Sequence, residues 1–322
     1  MNPDALSHWA PLRLCVRDGG MFVDWAHLGA NRFIEPFFDQ TIAKCLRHPA
    51  DVLFRHQTSI AVLRDLYEQR RGLQPSGFIF HMSRCGSTLV SQMLASNERC
   101  ISISEARPID EVLTANASEA QRAEWLRWMI HALGRPHHSE NSFFIKLDAW
   151  HVMDLPLITR VFPETPWIFL YRDPVEVLVS QTRERGVQVM PTGVAPTRFG
   201  LSAAEPWFTK LDEYAARVLG RLCETVLQHR DVGQGRLVNF NELPEAIPIL
   251  LEKFFRVSLS EDELQRMMDT ARFDAKRPSL NFENDSAAKQ QVASDELKRL
   301  SAQFMQPAYE GLERARIGQL TL

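Results

Sequence analysis

Four short apolar runs stand out after residue 75. They are Phe78 to Phe80 (FIF), Phe143 to Leu147 (FFIKL), Trp167 to Tyr171 (WIFLY) and Arg236 to Phe240 (RLVNF), with Cys100 to Ile103 (CISI) as a weaker fifth. None alternates strictly between apolar and polar, as expected of strands covered on both faces. Helical patterns fill the gaps. One runs from Glu119 to Leu133, with Ser118 as N-cap, Gln121 closing a capping box and Gly134 as the stop. Another starts just after Arg172, where Asp173 suits the N-cap, Pro174 the first helical position and Glu176 a capping box. This alternation predicts an α/β fold with a mostly parallel sheet flanked by helices. Ligands in such sheets bind at the carboxyl ends of the strands.

Residues 1–75 read differently. They hold an Asp18-Gly19-Gly20 turn and a helix predicted from Ser59 to Arg71, with Ile60, Leu63, Leu66 and Tyr67 at helical spacing. The turn-rich Gln74-Pro75-Ser76-Gly77 marks a boundary. The expected organisation is an N-terminal accessory region over 1–75 and an α/β domain over 76–322.

Composition narrows the classes. With 322 residues, 45% of them hydrophobic, the chain can build one large core. A net charge of -3 gives no basic excess, so nucleic acid is not an expected partner. Five scattered cysteines, none in a C-x-x-C pair, argue against a disulfide framework or zinc site and for a reducing compartment. The N-terminus has no apolar signal core, and no run of about 18 apolar residues exists, so no membrane span is expected. The expected location is cytoplasmic.

The most informative stretch is FIFHMSRCGSTLVSQML, Phe78 to Leu94. It reads as strand, tight polar loop, helix. Backbone N–H groups at the helix start, from Ser83, Cys85, Gly86, Ser87 and Thr88, suit an anion. Gly86 allows a close approach, the hydroxyls of Ser87 and Thr88 add donors, and Arg84 adds a planar cationic fork. A Walker A loop would place lysine after the glycine. Here that position is Ser87, which disfavours an ordinary ATP or GTP site with Mg²⁺. IFLYRDPVEVLVS, Ile168 to Ser180, supplies a second element: Arg172 at a strand end and Ser180 roughly 10 Å along the following helix. Both residues suit a phosphate.

Together the two segments resemble the sulfotransferase family that uses 3′-phosphoadenosine 5′-phosphosulfate (PAPS). The first resembles its 5′-phosphosulfate loop, Lys/Arg-x-Gly-Ser/Thr-Ser/Thr-Leu. The second resembles its 3′-phosphate motif, Arg-Asp/Asn-Pro-x-Asp/Glu-x-x-x-Ser, met by Arg172, Asp173, Pro174, Glu176 and Ser180. The resemblance covers about 76–322 and implies a P-loop sulfotransferase-like three-layer architecture, with PAPS as donor and no metal. Within the family, loop and catalytic segment look most similar to tyrosylprotein and carbohydrate-type enzymes. Glu105-Ala106-Arg107, 21 residues after Arg84, lies where those enzymes place a Glu-Thr-Arg base segment. The resemblance implies Glu105 as general base, with His81 and His151 as weaker candidates, and Arg107 as a substrate-binding cation. Lys146, at a strand's carboxyl end, resembles the lysine of their Asn-Lys-Asp/Thr-Pro segment, although Leu147 and Ala149 depart from it. It and Arg84 would stabilise the leaving oxygen. Lys276 or Arg277, in DAKRPSLNF, would close over the adenine, without the family's usual Arg-Lys-Gly pattern.

The acceptor is less legible. Arg183 to Trp207 carries three glycines and three prolines, the composition of a lid or binding loop. With the helix bearing Trp125 and Trp128 it is expected to shape the acceptor pocket. The partner is a small-molecule, glycan or peptide hydroxyl, and a homodimer is compatible with the sequence. A kinase or NTPase with a degenerate loop, or a non-catalytic nucleotide-binding protein, are the alternatives.

Overall fold

The computed structural model describes residues 6–17, 19–47, 56–202, 204–205, 210–282 and 285–320. Asp18 of the expected turn and Trp207 at the end of the expected lid lie outside them.

Two larger sheets and a two-stranded hairpin are present among the described residues. In the N-terminal part, β1 (Trp9–Arg17), β2 (Gly20–His27) and β3 (His56–Ser59) pair antiparallel in that order. The helix Ala61–Gln69 follows and buries Leu63 and Leu66, close to the expected span. Apart from a small cluster of Ala10, Leu28 and Cys45, these elements pack into the main core. Leu14, Val23, Trp25 and Leu63 share one continuous hydrophobic cluster with the main sheet. The backbone N–H of Leu14 donates to the Glu111 carboxylate in the larger part.

The main sheet is β4 (Gly77–His81), β5 (Cys100–Ser104), β6 (Ser142–Lys146), β7 (Trp167–Tyr171) and β8 (Gly235–Asn239). Its order is β5-β6-β4-β7-β8 and every pairing is parallel. β4 to β7 are buried at every position, which explains their unbroken apolar runs. The weak CISI run is a full interior-facing strand. From β4 the chain moves to one side, through β5 and β6, and then to the other, through β7 and β8. The reversal puts the end of β4 where such sheets bind ligands.

The helix starts follow the sequence with two changes. Ser118 and Gln121 form the reciprocal capping box of Glu119–Leu133. Gly134 stands at the end of that helix at φ -85°, without a left-handed turn; glycine is required there for space, since a Cβ would lie 2.5 Å from the Phe143 ring. Asp173 caps Pro174–Arg183 by accepting from the N–H of Val175 and of Glu176. Glu176 does not close a box; its carboxylate turns to Arg172 at 2.6 Å. Trp125 and Trp128 pack against the core and do not line the cavity described below. Among the described residues no helix is long and apolar enough to cross a membrane.

Candidate active site

A cavity of about 900 Å³ opens at the carboxyl ends of the strands, under the hairpin of β9 (Phe273–Asp274) and β10 (Arg277–Asn281). Its floor is the loop after β4. Ser83, Arg84 and Gly86 all take left-handed backbone, at φ 77°, 54° and 85°. Successive turns of that kind aim N–H groups into one concavity, and the helix Ser87–Ala95 starts directly behind it. Gly86 is required twice over. Its φ is positive, and a Cβ would stand 2.8 Å from Leu243 and 3.0 Å from Phe240. Gln181 holds the loop from the side, donating to Ser83 Oγ at 3.2 Å and accepting from the Gly186 N–H at 2.8 Å. Cys85 contributes backbone only. Its thiol is buried, donates to the Leu170 carbonyl at 3.1 Å, and is pushed up to about 12 by burial.

Three strand ends deliver charged groups around this floor. Glu105 follows β5, at φ 54°. Its Oε1 lies 2.7 Å from Lys146 Nζ at the end of β6 and 3.5 Å from His81 Nε2 at the end of β4. Burial pushes the Glu105 carboxyl up, but Lys146 and His81 outweigh it and hold the group well below the usual carboxylate range. Burial lowers the His81 pKa, so its imidazole is neutral. Its Nδ1 accepts the Ser83 N–H at 3.1 Å, which leaves the proton on Nε2, facing Glu105. Lys146 is only 1% exposed and sits behind Glu105, outside the cavity wall. Its ammonium is ion-paired but makes no aligned hydrogen bond.

Arg172, after β7, is buried against the Phe240 ring, with its guanidinium carbon 3.9 Å from the centroid. It donates to Glu176 at 2.6 Å, Asp285 at 2.9 Å and Ser286 at 3.0 Å. Arg84 reaches across the cavity to Glu184 at 2.8 Å. Lys276 and Arg277 overhang from the hairpin, their N–H groups fixed by Asp274 at 2.9 Å. Burial, then the nearby Arg84, lowers the Lys276 pKa. Among the described residues no cluster of His, Cys, Asp or Glu is arranged to hold a metal ion. What the cavity gathers is an anion cradle, four flanking cations and several carboxylates, of which Glu105, Glu184 and Asp285 are held ionised by neighbouring cations.

Residues 75–229 match the family model described as "Sulfotransferase family". That segment belongs to the sulfotransferase family. A solved sulfotransferase from Mycobacterium avium has the same fold, with a TM-score of 0.50 at 13% identity over 76% of this chain and 79% of that one. A sulfotransferase from Alicyclobacillus acidocaldarius is similar at 16% identity and a TM-score of 0.44, over 75% and 95% of the two chains. A sulfotransferase domain of the Synechococcus PCC 7002 olefin synthase is similar at 16% identity and 0.44, over 76% and 96%. No curated protein matches the chain.

For a sulfotransferase, the residues expected from sequence divide into two groups. The loop residues, Glu105, Arg172, Lys276 and Arg277 all line the one cavity. Ser180, Arg107 and Lys146 do not, Lys146 standing behind Glu105. Ser180 is buried and its hydroxyl donates to the Glu176 carbonyl one helical turn back, at 2.8 Å. Arg107 is exposed and pairs with Glu111 at 2.8 Å. Sequence reasoning missed Asp148, which lines the cavity two residues after Lys146. Its carboxyl is pushed up to about 7 by burial; His151 opposes the rise, Glu105 and Asp110 add to it, and Lys146 opposes it. His151 stands behind it, with Nε2 2.9 Å from Asp110 and Nδ1 3.8 Å from Asp148. The signal was the Asp148-to-His151 spacing, which closes a capping box at the end of β6.

Proposed function

We propose that the chain transfers a sulfuryl group from PAPS to a hydroxyl acceptor by in-line displacement. One observation carries this reading: the left-handed loop at Ser83 to Gly86 and the buried Arg172 open into the same cavity, on a segment matched by the sulfotransferase family. The residues fit the donor. A cradle that no Cβ could share sits at a helix start, suited to a 5′-phosphosulfate, and Arg172 offers its fork for a 3′-phosphate. The donor, when bound, supplies an activated sulfuryl group on a phosphate leaving group.

The protein's part is positioning and electrostatics, as in phosphoryl transfer. Glu105 is the base for the acceptor hydroxyl; Lys146 and His81 share its Oε1 and hold the side chain in place. Arg84 and Lys146 supply positive charge where negative charge collects in the transition state. Lys146 acts from behind Glu105, with an ammonium that makes no aligned hydrogen bond. Lys276 and Arg277 lie on the hairpin over the nucleotide end.

A thermal-shift comparison tests the reading: adenosine 3′,5′-bisphosphate against ATP with Mg²⁺. Ligand at a hundred times its Kd adds about 2.7 kcal/mol, or several degrees for a chain this size. The bisphosphate is expected to stabilise. Stabilisation by ATP-Mg²⁺ alone would replace a sulfotransferase with a kinase or NTPase.

A further inference from the structure

Arg172 does not stand alone in its corner of the cavity. Asp285 bridges it to a second cation: Oδ1 accepts from Arg172 at 2.9 Å and Oδ2 lies 2.8 Å from Lys289 Nζ. Lys289 is only 6% exposed, on the short helix Ser286–Val292. That helix is docked by polar contacts, with Ser286 and Gln290 both donating to the Glu176 carboxylate. The cluster thus holds two cations and two carboxylates.

The carboxylates are not equivalent. Glu176 has a side chain 9% exposed and is fixed by Arg172, Ser286 and Gln290. Asp285 has a side chain 42% exposed, and it lines the cavity. Its side chain has room to turn out to water when another anion takes its place, whereas that of Glu176 is enclosed. Without Asp285, two largely buried cations would face one anion, an unstable arrangement unless another anion takes the place. Phosphate fills such a place better than a carboxylate does, with more charge and more acceptor oxygens.

We propose that Lys289 joins Arg172 as a ligand of the donor's 3′-phosphate, and that Asp285 is the resident carboxylate which the phosphate displaces. This rests on the PAPS reading above. It also accounts for Ser180, whose hydroxyl is spent on its own helix: the second phosphate ligand comes from the other side, on the helix Ser286–Val292. The exchange keeps the buried cations compensated with or without nucleotide, and it makes recognition of the 3′-phosphate a competition with an internal acid.

Calorimetry with two nucleotides separates the claims. Adenosine 3′,5′-bisphosphate carries the 3′-phosphate, and adenosine 5′-monophosphate lacks it. Asp285→Asn is expected to tighten the bisphosphate about tenfold, the worth of one hydrogen bond to a charged group, and to leave the monophosphate unchanged. Lys289→Met is expected to weaken the bisphosphate about tenfold and again to spare the monophosphate, which reports that the variant is folded. An unchanged affinity ratio in Asp285→Asn overturns the displacement, and in Lys289→Met it overturns the ligand. If the wild-type protein itself shows no preference for the bisphosphate, the PAPS reading fails first and this assignment falls with it.

Discussion

Lys146 Nζ meets Glu105 Oε1 at 2.7 Å because β5 and β6 are neighbours in register, with Ser104 opposite Lys146. The carboxylate one residue past the end of one strand therefore lands on the ammonium at the end of the next. Lys146 is 1% exposed, so removing Glu105 leaves a buried cation without its counter-ion. Breaking a buried pair from one side costs roughly 3–5 kcal/mol, more than deleting both charges. Glu105→Gln and Lys146→Met are each expected to lose about 3 kcal/mol in urea unfolding. The double variant should recover at least ~1 kcal/mol of the sum. Additivity within about 0.5 kcal/mol would show that the pair has no energetic reality. Glu105→Gln should also keep the bisphosphate and lose turnover by a factor on the order of 10² to 10⁴, as for loss of a positioned base.

Arg84 offers the opposite balance. Its partner Glu184 has a side chain 69% exposed, and exposed pairs contribute at most about 1 kcal/mol. Arg84→Ala should leave the unfolding midpoint nearly unchanged while turnover falls by roughly 10²-fold or more, the effect of losing one transition-state donor. Release of adenosine 3′,5′-bisphosphate from PAPS with a mixed panel of hydroxyl acceptors measures the second, and calorimetry the first. A large stability loss with intact turnover would make Arg84 a structural residue.

Some of this was legible before the fold, and the reasons differ residue by residue. Local chemistry wrote itself into the sequence: the Ser118 box, the Asp173 cap and the strand-loop-helix around Gly86 depend on near neighbours and could be read there. Glu105 and Lys146 were found through a resemblance, since nothing local says that β5 lies beside β6 and not beside β4. Ser180 failed because a helical serine can satisfy its hydroxyl one turn back, and spacing alone does not reveal which way it points. Asp285 and Lys289 were invisible. They approach Arg172 from more than a hundred residues away, and only the packing of the last helices brings them there.

Gly86 and Gly134 give a paired test of site against scaffold. Both lack room for a Cβ, 2.8 Å from Leu243 in one case and 2.5 Å from Phe143 in the other, but only Gly86 has positive φ. Each alanine variant should cost about 1–3 kcal/mol, from overpacking at Gly134 and from overpacking plus backbone strain at Gly86. Only Gly86→Ala should lose the thermal shift given by the bisphosphate. Equal retention of that shift in both would remove the loop from the nucleotide site.

Asp148 carries the pH dependence. Its carboxyl is pushed up to about 7 by burial among polar and charged neighbours: Glu105 and Lys146 from the strand ends, Asp110 from the helix Arg107–Leu113, and the imidazole of His151 from its own turn. In the unfolded chain it titrates near 3.8. Between those values the folded state holds a proton that the unfolded state does not, so stability falls as pH rises through the window. Asparagine keeps the cap and cannot ionise. Asp148→Asn should therefore gain on the wild-type protein from pH 5 to pH 8, by about 3 kcal/mol, since the difference builds only up to about pH 7 at roughly 1.36 kcal/mol per unit. Glu105 cannot mimic this trend. Its pKa is lowered, so its contribution is complete above the ordinary carboxylate range and disappears only in stronger acid. The histidines are common to both proteins and largely cancel. Urea midpoints at pH 5 and pH 8 for the pair decide the matter: a constant difference would mean that Asp148 is ionised throughout, and that the group behind Glu105 holds no proton near neutrality.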